Sequence, residues 1–307
     1  MRTLAAVIPA TDGRATLQRA VAAVQRAEAS PEELIVVDQP AALGPAAARN
    51  LGARRAQCDI LVFVDADVEV HQDAFARIRN ALDRDPNLAA VFGSYDDDPG
   101  ASGIVSDFRN LLHHHVHQEN AGVATTFWAG IGGIRRDVFL ELGGFDEERF
   151  PHSSVEDIEL GSRLHARGGH VRLDPTIQGK HLKEWTLASM IKTDLLRRGV
   201  PWLRLVLEKR SGATDLNLGW RHRVSTIASL LMLLGLMRRS SRLVGTMLAL
   251  LIVLDRPFYG LLFRRRGLRL LVAGVPLHLV HRLTSAVAVP IAVGGHVLAI
   301  WKSRLRP

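Results

Sequence analysis

The stretch Ile60-Leu61-Val62-Phe63-Val64-Asp65-Ala66-Asp67 decides how this chain is read. Five apolar residues, rich in β-branched and aromatic types, predict a buried strand that stops abruptly at two carboxylates. Residues two apart on an extended chain share a side, so Asp65 and Asp67 are expected to point together. They would do so at the carboxyl end of a strand, where open α/β sheets hold their ligands. Two like charges there call for a cation. A divalent metal with hard oxygen ligands, completed by phosphate oxygens, meets that need. A polar strand end that merely opens a loop is the alternative.

Working outward, apolar strands alternate with helical segments through the first third. Leu4–Ile8, Leu34–Val37, Ile60–Val64 and Ala89–Phe92 read as strands. Ala15–Ala27, Gly44–Ala56 and Asp73–Leu82 read as helices, the second opened by a Gly-Pro turn. This alternation predicts an α/β domain with a mostly parallel, doubly wound sheet. Three strands end at polar residues: Pro9 to Asp12, Asp38, and Asp65 with Asp67. A pocket with several carboxylates at one sheet edge suits a nucleotide with a metal-bound diphosphate. No G-x-x-x-x-G-K-[ST] loop and no G-x-G-x-x-G after a strand is present, which argues against P-loop and dinucleotide enzymes.

A second constellation follows. Gly143-Gly144-Phe145-Asp146-Glu147 leads to Val155-Glu156-Asp157-Ile158-Glu159-Leu160, helical from Glu156. Glu156 and Asp157 fall in the first turn, where the helix dipole favours carboxylates. By itself the pair is an acidic helix start; beyond a D-x-D it offers one base near a metal-bound leaving group.

These pieces together resemble family 2 glycosyltransferases of the GT-A fold, which invert configuration while moving a sugar from a nucleotide diphosphate. The resemblance rests on Val7-Ile8-Pro9, Val36-Val37-Asp38, Gly44 through Gly52, Phe63 through Asp67, Gly143 through Glu147 and Glu156-Asp157, and covers residues 4–202. It implies that Asp38 contacts the base or ribose, that Asp65 sits near the ribose, that Asp67 binds the metal (Mn²⁺ or Mg²⁺), and that Asp157 is the general base. Pro9 and Arg49 stand beside the nucleotide pocket, Arg49 more as the anchor of an aspartate than as a substrate contact. His181 is a second candidate metal or diphosphate ligand, and Lys180 or Lys183 could hold phosphate. Trp128 could stack on a sugar or pack in the core, and the bare backbone at Gly132-Gly133 could approach the sugar. Gln39-Pro40 and Thr11-Asp12 depart from the family pattern at the base and ribose end, leaving the donor unnamed. The Q-x-x-R-W motif of processive synthases is absent, so one transfer per encounter is expected.

His113, His114, His115 and His117 resemble a metal cluster, but consecutive helical residues cannot converge on one ion. They are read as a helix surface. Asp96-Asp97-Asp98-Pro99 reads as a solvated acidic turn, with a sugar contact as the rival.

Among 307 residues there are 39 Lys and Arg against 31 Asp and Glu, a net charge of +8. The surplus lies in the second half, where Asp255 is the only carboxylate after Asp215. Aromatic stacking platforms are missing, so nucleic acid is not expected as a partner; an anionic membrane surface fits better. No secretory signal is expected, and the single Cys58 suits a reducing compartment. The expected organisation is a GT-A catalytic domain at residues 1–185, amphipathic interfacial helices at 186–219 and a hydrophobic membrane-associated helical region at 220–307. Val224–Met237 and Leu243–Leu254 are each shorter than the roughly 20 residues that cross a bilayer. Leu268–Ile300 is apolar but carries Pro276 and Pro290. A catalytic domain at the cytoplasmic face of the inner membrane, with a lipid or lipid-linked acceptor, is the expectation. Transfer to another glycan or to protein, or an inert nucleotide-sugar-binding scaffold, are the alternatives.

Overall fold

The computed structural model describes residues 1–11, 15–41, 43–209 and 219–304. Asp12, part of the expected polar edge after the first strand, and the basic Arg306 lie outside them. The chain divides into two compact units, Met1–Ala101 with Val116–Lys183, and Ser102–His115 with Glu184–Pro307.

The first unit is built on eight strands: β1 Leu4–Pro9, β2 Glu33–Val37, β3 Ile60–Val64, β4 Val68–Val70, β5 Leu88–Tyr95, β6 Gly122–Ala124, β7 Ile131–Arg135 and β8 His170–His181. They form one sheet in the order β2-β1-β3-β7-β5-β8-β4, with β6 also on β8. Helices α1 Leu17–Gln25, α2 Pro45–Arg55, α3 Ala74–Arg84, α5 Arg136–Glu141 and α6 Glu156–Ala166 accompany it; α4, Ile104–Glu119, begins in the second unit and ends in the first. The strand β3 is buried along its whole length, as an uninterrupted apolar run requires.

The expected mostly parallel sheet is corrected to a mixed one. β1 lies parallel to β2 and β3, and β5 parallel to β8, but β7 runs antiparallel between β3 and β5. The segment that reverses the sheet, Ile131-Gly132-Gly133-Ile134-Arg135, carries two glycines that disguise it as a loop. Its glycines are needed for packing: a Cβ at Gly133 would lie 2.4 Å from Cγ2 of Ile78 on α3. Even so, β1, β2 and β3 are neighbours in parallel, so the three polar strand ends do line one edge.

The second unit is helical. Its elements are the early part of α4, then α7 Leu187–Lys192, a π-helical turn Thr193–Gly199, α8 Val200–Lys209, α9 Trp220–Met237, α10 Ser241–Leu254 and α11 Arg256–Arg304. α9 and α10 form a hairpin closed by Arg238 and Arg239, and Ser240 caps α10 through the backbone N–H of Leu243. α10 ends at Leu254, with Asp255 following it. α11 runs through Pro276 and Pro290 and breaks only at Gly267, whose φ of 68° is left-handed. The stretch Arg256–Lys302 is long and apolar enough to cross a membrane by length and composition.

The histidine cluster is not a helix surface. His114 and His117 are buried, and His117 packs edge-on against Phe92 and Trp128 with Nδ1 against the Gly93 carbonyl at 2.9 Å.

Candidate active site

Asp65, Ala66 and Asp67 form a tight turn rather than extended chain, with the Val68 N–H donating to the Asp65 carbonyl at 3.0 Å. The two-residue alternation that predicted their common direction therefore does not apply; the turn from β3 into β4 places them. The Asp65 N–H donates to the Gly130 carbonyl at 3.1 Å, and the Asp67 carbonyl accepts from the Leu182 N–H at 2.8 Å. Thr16 Oγ1 closes the turn from the other side by donating to the Ala66 carbonyl at 2.8 Å.

Each carboxylate has its own setting. Asp65 accepts a 2.7 Å hydrogen bond from Nη2 of Arg49, which reaches across from α2. Asp67 is buried, with Oδ2 3.7 Å from Nε2 of the equally buried His181 at the end of β8. Burial pushes the His181 imidazole below its ordinary value, although Asp67 pulls the other way, so the ring is neutral and keeps a lone pair. The ring of Tyr95 stacks on it at 4.0 Å between centroids. Among the described residues no cluster of three or more His, Cys, Asp or Glu stands ready for a metal. One carboxylate with one imidazole is a donor set that a diphosphate would have to complete, which is how Mg²⁺-like ions are commonly held.

Three segments distant in sequence interlock around α2. Gly44 and Pro45 start it in the usual manner, and a Cβ at Gly44 would fall 2.1 Å from the Pro151 carbonyl oxygen. Asn50 donates to the Phe145 carbonyl at 2.8 Å and to Glu147 at 2.9 Å, and accepts from the Phe145 N–H at 2.9 Å. Arg49 divides its guanidinium between Asp65 and Glu156 Oε1, the latter at 2.9 Å. Burial opposes the charge on Arg49, but Asp65, Glu156 and Asp157 hold its proton well above the ordinary value. The guanidinium also lies 5.6 Å from the centre of the Phe145 ring.

Glu156 is buried and fully engaged, its second oxygen accepting from the Ser154 N–H at 2.8 Å. Asp157, next along α6, is half-buried, accepting from the N–H groups of Ala129 at 3.2 Å and Ile158 at 2.8 Å. Burial and the adjacent Glu156 charge push Asp157 up to about 6, against the pull of Arg49. Ala129 holds Asp157 and its neighbour Gly130 holds Asp65. The candidate base and the D-x-D turn are thus pinned by consecutive residues of one segment.

The remaining expected residues fall as follows. Pro9 ends β1 opposite Val37, and Asp38 follows β2, exposed at the same edge. Trp128 is buried edge-on to Tyr95 and His117, beneath the site. A side chain at Gly133 would run into Ile78, so its bare backbone lets α3 pack on the sheet. Lys180 is tied to Asp98 at 2.5 Å, and Asp96 is buried against His71 at 3.0 Å, which makes the acidic loop a fastening rather than a solvated turn. Lys183 is half-buried two residues past His181. Tyr95 escaped the sequence reading; its place at the end of a strand parallel to β8 was the available signal.

Residues 18–143 match the family described as Glycosyl transferase family 2. Poly-β-1,6-N-acetyl-D-glucosamine synthases of Staphylococcus aureus, strains COL and N315 among them, are 26% identical over 166 residues, 52% of this chain and 39% of theirs. The chain thus spans about two fifths of the length of these curated relatives. Among solved structures, a mannosyltransferase from Pyrobaculum calidifontis, described in complex with GDP-Man and Mn²⁺, superposes with a TM-score of 0.57 at 16% identity, covering 93% of this chain and 86% of that one. That likeness is one of fold. With the sheet order, the D-x-D turn and the acidic start of α6 in place, the first unit has a GT-A type sheet, and residues 18–143 are similar to family 2 glycosyltransferases.

Proposed function

We propose that the protein is an inverting glycosyltransferase that moves a sugar from a nucleotide-diphosphate sugar to an acceptor hydroxyl. The observation that carries this reading is the joint anchoring of Asp157 and the D-x-D turn on Ala129-Gly130. Asp157, with its proton affinity raised to about 6, is ionised at neutral pH yet basic enough to accept a proton. It takes the acceptor hydroxyl proton as the oxygen bonds to the anomeric carbon. The bond from that carbon to the diphosphate breaks on the opposite side, and the nucleoside diphosphate leaves. Asp38 and Pro9 border the base and ribose, Asp65 the ribose, and Lys183 the diphosphate. Asp67 and His181 would hold a divalent cation, which when bound offsets the charge of the leaving diphosphate.

The acceptor, on this proposal, is a lipid or lipid-linked glycan met at the cytoplasmic membrane face. Support comes from the second unit, where α9, α10 and α11 expose large apolar side chains beside arginine clusters.

The test is nucleoside-diphosphate release from a panel of sugar nucleotides with Mn²⁺ or Mg²⁺, comparing a bacterial lipid extract with soluble oligosaccharides. Lipid-stimulated release from one donor, lost in Asp157→Asn, is the expected result. Stimulation by oligosaccharide alone would remove the lipid acceptor, and absence of release from every donor with either acceptor would remove the transferase.

A further inference from the structure

The proposed reaction needs one base, yet two adjacent carboxylates begin α6 and only one has room for an acceptor. Both oxygens of Glu156 are spent, one on Arg49 and one on the Ser154 N–H, and the side chain is 4% exposed. Arg49 is equally enclosed, at 6%, and its other arm holds Asp65, which at 28% is the open member of the set. A chain of contacts therefore runs from the nucleotide side of the pocket to the foot of the base.

We infer that Glu156 and Arg49 are positioning residues, in which Glu156 aims Arg49 at Asp65 and the charges of the pair govern when Asp157 accepts a proton. This rests on Asp157 being the base of the proposed transfer. Both side chains are enclosed, which leaves them little surface to offer donor or acceptor. The charged groups acting on Asp157 are Glu156 on its own helix, which raises its proton affinity, and Arg49 from α2, which lowers it; the loop before β7 contributes the Ala129 N–H. The two charges oppose each other at Asp157 while attracting each other at 2.9 Å. A fork is required for the double grip, because a guanidinium offers two directed arms and an ammonium one.

The test uses the full chain and two readouts. The acid-side midpoint of kcat/KM is followed with pH, and the Asp157 carboxyl is titrated directly by ¹³C NMR after [¹³Cγ]aspartate labelling. Glu156→Gln keeps shape and removes one negative charge. It is expected to retain transfer and to lower both midpoints by about one unit, the usual scale for a neighbouring charge. Arg49→Lys keeps the cation but loses one arm. It is expected to weaken binding of UDP or GDP with Mn²⁺ several-fold through a loosened Asp65, and it carries the test should Glu156→Gln not fold. Loss of transfer at every pH in a folded, nucleotide-binding Glu156→Gln would place Glu156 in the chemistry and overturn the inference. So would midpoints that do not move, or Arg49→Lys with unchanged nucleotide affinity. Asp157→Asn separates the two levels. Normal transfer there removes the base assignment, whereas a dead Asp157→Asn beside an unshifted Glu156→Gln removes only the positioning pair.

Discussion

At the scale of single residues, Asp157 carries a cost that reports its role. A carboxyl whose proton affinity is higher folded than unfolded loses folding stability as pH rises from its ordinary 3.8 to about 6, because only the unfolded chain gains by releasing the proton. Above that window the loss is constant. Asp157→Asn is therefore expected to melt higher than wild type at neutral pH, with the gap closing below about pH 4, while transfer disappears. Thermal melts across pH, set beside the release assay, check both halves; a variant less stable at pH 7 would contradict the burial argument. Wild-type activity should fall as pH drops through about 6, where Asp157, the proposed base, takes up its proton. In the proposed reaction Asp67 belongs to a different step. Asp67→Ala and His181→Ala are each expected to weaken nucleoside-diphosphate binding at least tenfold with Mn²⁺ present, and hardly at all with EDTA. Calorimetry in the two buffers separates loss of a cation site from loss of a direct nucleotide contact.

At the scale of elements, the site depends on how α2 staples loops that are remote in sequence. Asn50→Ala would strand the buried N–H and carbonyl of Phe145, at a cost of about 2–4 kcal/mol. Denaturant unfolding measures it, and a change under 1 kcal/mol would mean that the Gly143–Glu147 loop holds itself. This stapling explains which features were legible in the sequence. Strand ends, the helix start at Glu156 and the Gly-Pro opening of α2 are local signals, and each lies where its own residues place it. The antiparallel β7 was not legible, because Gly132 and Gly133 answer to Trp128, Phe127 and Ile78 rather than to strand propensity. The D-x-D geometry was reached by an argument from extended chain that the turn does not obey. The placing of each carboxylate comes instead from tertiary partners: Arg49, Gly130 and Leu182. Likewise the histidines of α4 carry no signal that tells a buried row from a solvated one until Trp128 and Phe92 are set against His117.

At the scale of the whole molecule, the two units differ in what they expose. Among the described residues, the strongly exposed large apolar side chains are Met1, Val123 and Leu140 in the first unit; the second exposes a far longer series, from Leu187 and Trp220 through Val253 and Phe263 to Trp301. Its interior also holds ion pairs. Arg282 donates to Asp255 at 3.0 Å, Ser225 adds a 3.2 Å bond to the same carboxylate, and Asp194 accepts from Arg109 and meets Nδ1 of His281, each at 2.8 Å. Breaking one such pair leaves a buried charge alone, so Asp255→Ala is expected to cost about 3–5 kcal/mol, read by thermal melting in detergent. Charged pairs turned inward and apolar side chains turned outward is the arrangement that hydrocarbon favours, and patches of this extent on a soluble surface would drive association. The arginines of 238–242 and 264–266 border the apolar helices, where anionic headgroups would meet them. Two modes of attachment then make different predictions. If the arginines alone hold the chain to lipid, high salt releases it, because surface charge is screened within about a nanometre or less. If α9–α11 enter the hydrocarbon, salt and alkaline carbonate leave the chain in the pellet and only detergent extracts it. The second outcome is expected from Val287, Val289, Ile291, Val293, Val297, Leu298 and Ile300, seven exposed apolar residues within Arg256–Lys302, a stretch long enough to span. Full release by salt would reduce the second unit to a peripheral anchor and leave those side chains needing a protein partner.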